Sequence, residues 1–182
     1  MIKKLLPPAV IGVILGTVLM DRIDEATFKP LAGSIVFLLT MLQLWRTWKP
    51  KLFEDMPHQI WFAWALGLLA GITTMIANAA GPVVALYLLA VALPKFEFVG
   101  TSAWFFLVIN IFKLPFSAWL GLISAQSLLL DVALSPGILI GMLLGKWMIN
   151  KIPQKTFNVL LLIFTAFAAM RLMGILQLPS WN

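Results

Sequence analysis

The stretch IWFAWALGLLAGITTMIANAAGPVVALYLLAVAL, residues 60–93, decides how the whole chain is read. It is apolar from end to end and carries no charge. One straight helix of this length would run to about 50 Å, whereas the hydrocarbon core of a bilayer is only about 30 Å thick. The stretch must therefore break. Asn78-Ala79-Ala80-Gly81-Pro82 is the place, because Gly-Pro punctuates helices and strands alike. Two helices are predicted, Ile60–Ile76 and Pro82–Leu93, forming a hairpin whose tip lies at or inside the far face of the membrane. The second arm is short enough to be re-entrant.

Working outward, five more apolar segments appear: Leu5–Met20, Pro30–Trp45, Phe98–Ile123, Leu128–Met148 and Thr156–Leu176. Pro7 and Pro8 fall where the first turn of a helix tolerates proline. The start resembles a secretory signal, but Pro7-Pro8 opens its apolar run and Asp21-Arg22-Ile23-Asp24-Glu25 follows with no small-x-small site, so a retained first span is expected. Thr47–Gln59 is the longest polar connection and holds the one histidine, His58, with no metal-ligand partners near it. The expected fold is all-α: a polytopic membrane protein of about seven transmembrane or re-entrant helices.

Composition agrees. Of the 182 residues, 62% are hydrophobic and 11% charged, with a mean hydropathy of +1.00. A soluble domain carries roughly 25% charged residues to face water. The net charge of +6 does not indicate nucleic acid, because the basic residues sit in short clusters between apolar runs. Alternating sides across seven segments place Lys3, Lys4, Arg46, Lys49, Lys51, Lys95, Lys146, Lys151 and Lys155 on one face, and Arg22, Lys29 and Arg171 on the other. The positive-inside rule makes the first face cytoplasmic, with the N-terminus inside and the C-terminus outside. Zero cysteines exclude disulfides, thiolate metal sites and cysteine nucleophiles. No H-E-x-x-H, G-x-S-x-G or P-loop pattern occurs, so neither an enzyme nor a nucleotide-driven pump subunit is expected, and no cofactor or metal is implied.

The chain also repeats itself. A shift of 129 residues lays Leu5–Leu31 over Leu134–Leu160 without a gap. Identities fall at Leu5/Leu134, Pro7/Pro136, Ile11/Ile140, Gly12/Gly141, Leu15/Leu144 and Gly16/Gly145. They continue past the apolar run at Ile23/Ile152, Thr27/Thr156, Phe28/Phe157 and Leu31/Leu160. The assigned topology makes the two copies antiparallel, the inverted-repeat plan of many secondary transporters. Residues 1–58 then form the last two helices of an N-terminal repeat plus a loop, and residues 59–182 a complete C-terminal repeat. Three segments of the first repeat are expected upstream of Met1, in a longer product or on a separate polypeptide. Gly12, Gly16, Gly141 and Gly145 form small-x-x-x-small patches of the kind that let helices pack closely.

Few residues can carry chemistry. Lys113 lies near the middle of its apolar span, where a charge costs on the order of 3 kcal/mol or more. It either snorkels or pairs with a carboxylate, or it serves a solute. Ser102, Phe106, Asn110, Lys113 and Ser117 share one helical face, and Pro115 withholds a donor from the Ile111 carbonyl beside it. A helix starting at Pro82 would offer free N–H groups and the positive end of its dipole, with the Asn78 amide adjacent. Lysine, two amides and a helix N-terminus together suit a small oxyanion; alternatively, Gly81 only lets helices approach closely. The candidate pathway residues are Asn78, Gly81, Pro82, Thr101, Ser102, Asn110 and Lys113.

Three stretches resemble the TauE/SafE sulfite exporter family. They are Gly67-x-x-x-Gly71 through Ala77–Tyr87, then Pro94-Lys95-x-x-Phe98-Val99-Gly100-Thr101-Ser102-Ala103-Trp104-Phe105-Phe106 with Asn110-x-x-Lys113-x-Pro115, and finally Pro136-x-x-x-Ile140-Gly141-x-x-x-Gly145 with Phe157. Ala79-Ala80 stands where the family often shows a richer glycine run. The resemblance implies an inner-membrane carrier of two related halves, exporting sulfite, organosulfonates or related small anions. Its partners would be the lipid bilayer, the anionic substrate, and either further copies of the chain or the missing N-terminal segment. The competing expectation is a non-transporting membrane scaffold or an inactive truncated remnant.

Overall fold

A computed structural model describes residues 2–20, 25–48 and 60–175. The charged stretch 21–24 and the connection containing His58 lie outside the described residues. Seven helices and no strands are present among the described residues: α1 (Ile2–Met20), α2 (Glu25–Trp48), α3 (Ile60–Ala77), α4 (Ala80–Ala90), α5 (Lys95–Trp119), α6 (Ala125–Lys151) and α7 (Gln154–Leu172). Each expected segment corresponds to one helix. The helices run a few residues past the apolar windows at several ends, because the bilayer limits where apolar residues are needed and not where helical hydrogen bonding stops. Pro7, Pro8 and Pro30 therefore sit inside α1 and α2 rather than at their first turns.

Five helices, α1, α3, α5, α6 and α7, are long and apolar enough to cross a bilayer, while the apolar parts of the other two are shorter (Lys29–Trp45 and Ala80–Ala90). The outer surface is apolar too, with Trp61, Trp64, Trp104, Leu129 and Trp147 exposed. Apolar residues on the outside as well as in the core make this a polytopic membrane protein; a soluble chain rarely exposes such extended apolar surface.

The shortest helix is the most enclosed. At about 16 Å, α4 reaches roughly halfway through a bilayer core, and Ala80, Val83, Val84, Leu86, Tyr87, Leu88, Leu89 and Ala90 are all buried. It packs against α2, α3, α5 and α7. A helix that is apolar all round has no face for water and belongs in the interior. Its far end closes with Ala92 in the left-handed region (φ 56°). There the Ala92 N–H donates to Leu89 O and the Leu93 N–H to Leu88 O, the paired bonds that finish a helix when the chain reverses.

Glycine sets the tightest contact. α1 lies along α3, with Gly12 against Gly71 and Gly67 against Leu5 and Pro8. A methyl group on Gly71 would run into the Ala9 carbonyl and come within 2.8 Å of the Gly12 Cα. The two backbones touch directly. A second close approach joins α2 to α7, where a methyl on Gly33 would lie 2.7 Å from the Met173 nitrogen and 2.8 Å from the Ala169 carbonyl oxygen.

α6 differs from the rest: none of its residues is buried. It is held at its C-terminal end. The Lys95 ammonium of α5 donates to the Ile149 carbonyl at 2.7 Å and also to the Ile152 carbonyl. The Lys95 backbone N–H donates to Gln154 Oε1 at 2.7 Å, and Phe98 meets Phe157 edge-on at 5.3 Å. A lysine on the last carbonyls of a helix satisfies groups that have no partner within the helix.

Replacing Gly71 with leucine should therefore separate α1 from α3 and destabilise the chain by about 1–3 kcal/mol or more, the usual cost of overpacking. Thermal unfolding in detergent, with wild type alongside, measures it. An unchanged melting temperature would show that the α1–α3 contact does not hold the fold.

Candidate functional site

The break predicted between Ile76 and Pro82 falls where α3 ends at Ala77 and α4 starts at Ala80. Asn78 makes the turn in the left-handed region, at φ 49°. Asparagine tolerates that conformation better than most residues, because its short polar side chain bonds locally. The Ala79 N–H folds back to the Thr73 carbonyl at 3.1 Å, which ties the turn to the last part of α3.

Lys113 arrives from α5. Its ammonium donates to Asn78 Oδ1 at 2.7 Å and, more weakly, to the Thr74 carbonyl at 3.5 Å. The cation thus sits against the negative end of α3. Among the described residues no carboxylate pairs with it. The side chain is half-buried and Asn78 is exposed, so the pair lies at the margin of the packed core. Lys113 is about 9 Å from the C-terminal end of α5 and equally far from the middle of the helix.

The first turn of α4 faces the same junction. Its N-cap residue, Ala79, provides no side-chain cap, and Pro82 has no N–H to donate. Gly81 is exposed, and a methyl group on it would meet nothing within 4 Å. Close helix packing is therefore not the purpose of Gly81. One small region combines a lysine ammonium, an asparagine amide and an open helix N-terminus, and each of these favours negative charge.

The remaining candidates are arranged differently. Asn110 is one turn from Lys113 and exposed. Thr101 and Ser102 lie about 16–18 Å away along α5, both half-buried, and the Ser102 hydroxyl donates to the Phe98 carbonyl of its own helix at 2.8 Å. The expected polar stripe runs along the flank of α5, because the fully buried face belongs to Phe98, Phe105 and Ile109. Of the four pathway positions on α5, only Lys113 bonds to the α3–α4 junction. Among the glycines, Gly12 and Gly16 are packed against α3, whereas Gly141 and Gly145 face open space.

Two features escaped the sequence reading. The Thr74 carbonyl has no signature, since a backbone acceptor becomes available only once the helix end is located. The contact of Lys95 with Ile149, Ile152 and Gln154 has no signature either, since it joins residues more than 50 positions apart.

A bundle of apolar helices around a half-length central helix, with a lysine at its broken end, defines a polytopic α-helical membrane protein. The family model described as Sulfite exporter TauE/SafE matches residues 1–172. The chain belongs to that family, whose members are transporters rather than enzymes. No curated protein and no solved structure matches it.

The Lys113–Asn78 contact separates two effects of one residue. Asn78→Gly keeps the left-handed turn and loses the amide, whereas Asn78→Ala loses the amide and adds left-handed strain of about 1–2 kcal/mol. The alanine variant should therefore melt at the lower temperature of the two. Equal melting temperatures would mean that the turn carries no strain with alanine.

Proposed function

We propose that the chain is a secondary carrier of the inner membrane exporting sulfite, organosulfonates or related small oxyanions. The observation that carries this reading is the Lys113 ammonium held 2.7 Å from Asn78 Oδ1 beside the uncapped first turn of α4. An arriving oxyanion can take the ammonium from the neutral amide oxygen and gain a charge-assisted bond. It meets the backbone N–H groups of Ala80 and Gly81 at the same time. Gly81 leaves room for it. Lys113, Asn78, Gly81 and Pro82 form the binding end of the route; Asn110 continues it one turn away, and Thr101 and Ser102 line its far part along α5.

Coupling is to an ion gradient or the membrane potential, since the sequence has no nucleotide-binding motif. The N-terminus is cytoplasmic and the C-terminus outside. The Lys95 contact with Ile149 and Ile152 supports this, because it brings Lys95 to the same end as Lys146, Lys151 and Lys155. Residues 1–58 and 59–182 belong to two inverted repeats.

A second reading, a non-transporting scaffold or inactive remnant, draws support from α6, which buries none of its residues. Efflux of sulfite and of a small sulfonate from cells making the chain distinguishes the two. Lys113→Ala should reduce efflux at least about tenfold, or about 1.4 kcal/mol, with Lys113→Arg keeping part of it. Efflux equal in wild type and Lys113→Ala would remove Lys113 from the route. No efflux from folded, membrane-inserted wild type would favour the scaffold.

A further inference from the structure

The sequence from Val132 to Asn182 contains no aspartate or glutamate, yet it carries Lys146, Lys151, Lys155 and Arg171. The three lysines gather where α6 gives way to α7. Lys151 ends α6 and Lys155 lies in the first turn of α7, four residues on and so at most about 14 Å away. All three are exposed, and among the described residues no carboxylate pairs with any of them.

Neither helix needs these charges for its own stability. A lysine in the last turn of a helix ordinarily serves the carbonyls left over there, but Lys95 of α5 has already taken those of Ile149 and Ile152. Lys151 turns instead to Trp147 and holds its ammonium 3.8 Å from the centre of the ring, a cation–π contact. Lys155 stands near the positive end of the α7 dipole, where a cation is unfavourable unless an anion joins it. Charge bias across a membrane asks only that lysines lie on one side. It does not ask for one stacked on an aromatic ring and another at the start of a helix.

The neighbouring surface completes the pattern. Leu144, Trp147, Met148 and Lys151 follow at steps of three and four residues and so share one face of α6; all four are exposed. Over about 10 Å of helix this face passes from aliphatic through aromatic to cationic. A phospholipid at the edge of a bilayer runs in the same order, from acyl chain through the interfacial level that tryptophan favours to the phosphate, and an anionic one brings the complementary charge.

We infer that Trp147, Lys151 and Lys155 form a binding site for the phosphate headgroup of an anionic phospholipid, whose acyl chains lie along Leu144 and Met148. The indole fixes Lys151 from one side and leaves N–H donors of the ammonium for the phosphate oxygens, while Lys155 approaches from α7. A phosphatidylcholine headgroup would bring its own cation beside the two lysines, so charge selects the anionic lipid. The site depends on the chain spanning a membrane and not on what the chain carries across it.

The absence of cysteine allows a single fluorophore to be placed at will. Asn150→Cys puts it beside the site, where the native side chain bonds only to the Lys146 carbonyl of its own helix. Leu128→Cys puts it about 33 Å away at the other end of α6. Each labelled chain is reconstituted in phosphatidylcholine vesicles holding a small fraction of either phosphatidylglycerol or phosphatidylcholine with a nitroxide high on one acyl chain, and the quenching is compared. At position 150 phosphatidylglycerol should be preferred at least about fivefold, the effect of one lysine near an anionic lipid, and at position 128 hardly at all. Lys151→Gln with Lys155→Gln should abolish the preference, whereas Lys151→Arg, which keeps charge and stacking, should retain it. Trp147→Leu should lower it at least about twofold with the charge unchanged, through the lost cation–π contact. Melting temperatures equal to that of the unsubstituted chain, expected for exposed side chains, separate lost binding from unfolding. Equal quenching by the two lipids at position 150 overturns the inference, and so does a preference as strong at position 128. A preference untouched by Trp147→Leu would reduce the site to a diffuse positive surface and overturn it as well. Relief of quenching by inorganic phosphate at constant ionic strength would make the occupant a soluble phosphate and not a lipid.

Discussion

A helix that stops in apolar surroundings leaves carbonyl groups that water cannot reach, and each must find a donor or cost several kcal/mol. The rest of this bundle depends on how that requirement is met at the end of α3. Ala79 folds its N–H back to Thr73, and Lys113 reaches across from α5 to Asn78 and Thr74. With these donors drawn to the end of α3, the chain turns within a few residues and begins α4. α4 then becomes a short, fully apolar post with α2, α3, α5 and α7 around it. The same lysine closes the break and stands ready for an anion, so the structural role and the proposed role compete for one ammonium group.

Without a hydrophobic force to drive one apolar helix against another in lipid, close packing has to come from shape. The chain meets this with glycine at the two places where backbones touch, α1 on α3 and α2 on α7. Buried threonines complement it. Thr17, Thr40 and Thr73 each return their hydroxyl to a carbonyl of their own helix, so they fill space as small side chains without leaving an unsatisfied polar group. Ser135 does the same in α6, donating to the Val132 carbonyl that Pro136 deprives of its normal donor.

Much of this was legible in the sequence, and for identifiable reasons. Apolar runs of bilayer length place helices without ambiguity, and the over-long stretch from Ile60 to Leu93 could not be anything but broken. Lys113 and Asn78 were conspicuous because polar residues are rare in such runs. Their contact was not legible, since it joins residues far apart in the chain across two helices whose crossing no local pattern encodes. The glycine ridges were visible as motifs, yet Gly12 and Gly141 look alike in sequence and differ completely in surroundings. The burial of α4 was hidden for a simpler reason: in a membrane protein, lipid-facing and core-facing helices are both apolar, so composition does not distinguish them.

α6 is about 40 Å long and is fastened near one end, where Lys95 grips Ile149 and Ile152. Mechanically it is a lever with its pivot at the junction with α7. A tilt of about 10° about that pivot carries the opposite tip through about 7 Å, given the rise of about 1.5 Å per residue. Whatever rests against the free arm therefore sets the position of the Ser124 end far more than that of the clamped end, and small rotations at the pivot are magnified across the thickness of the bilayer.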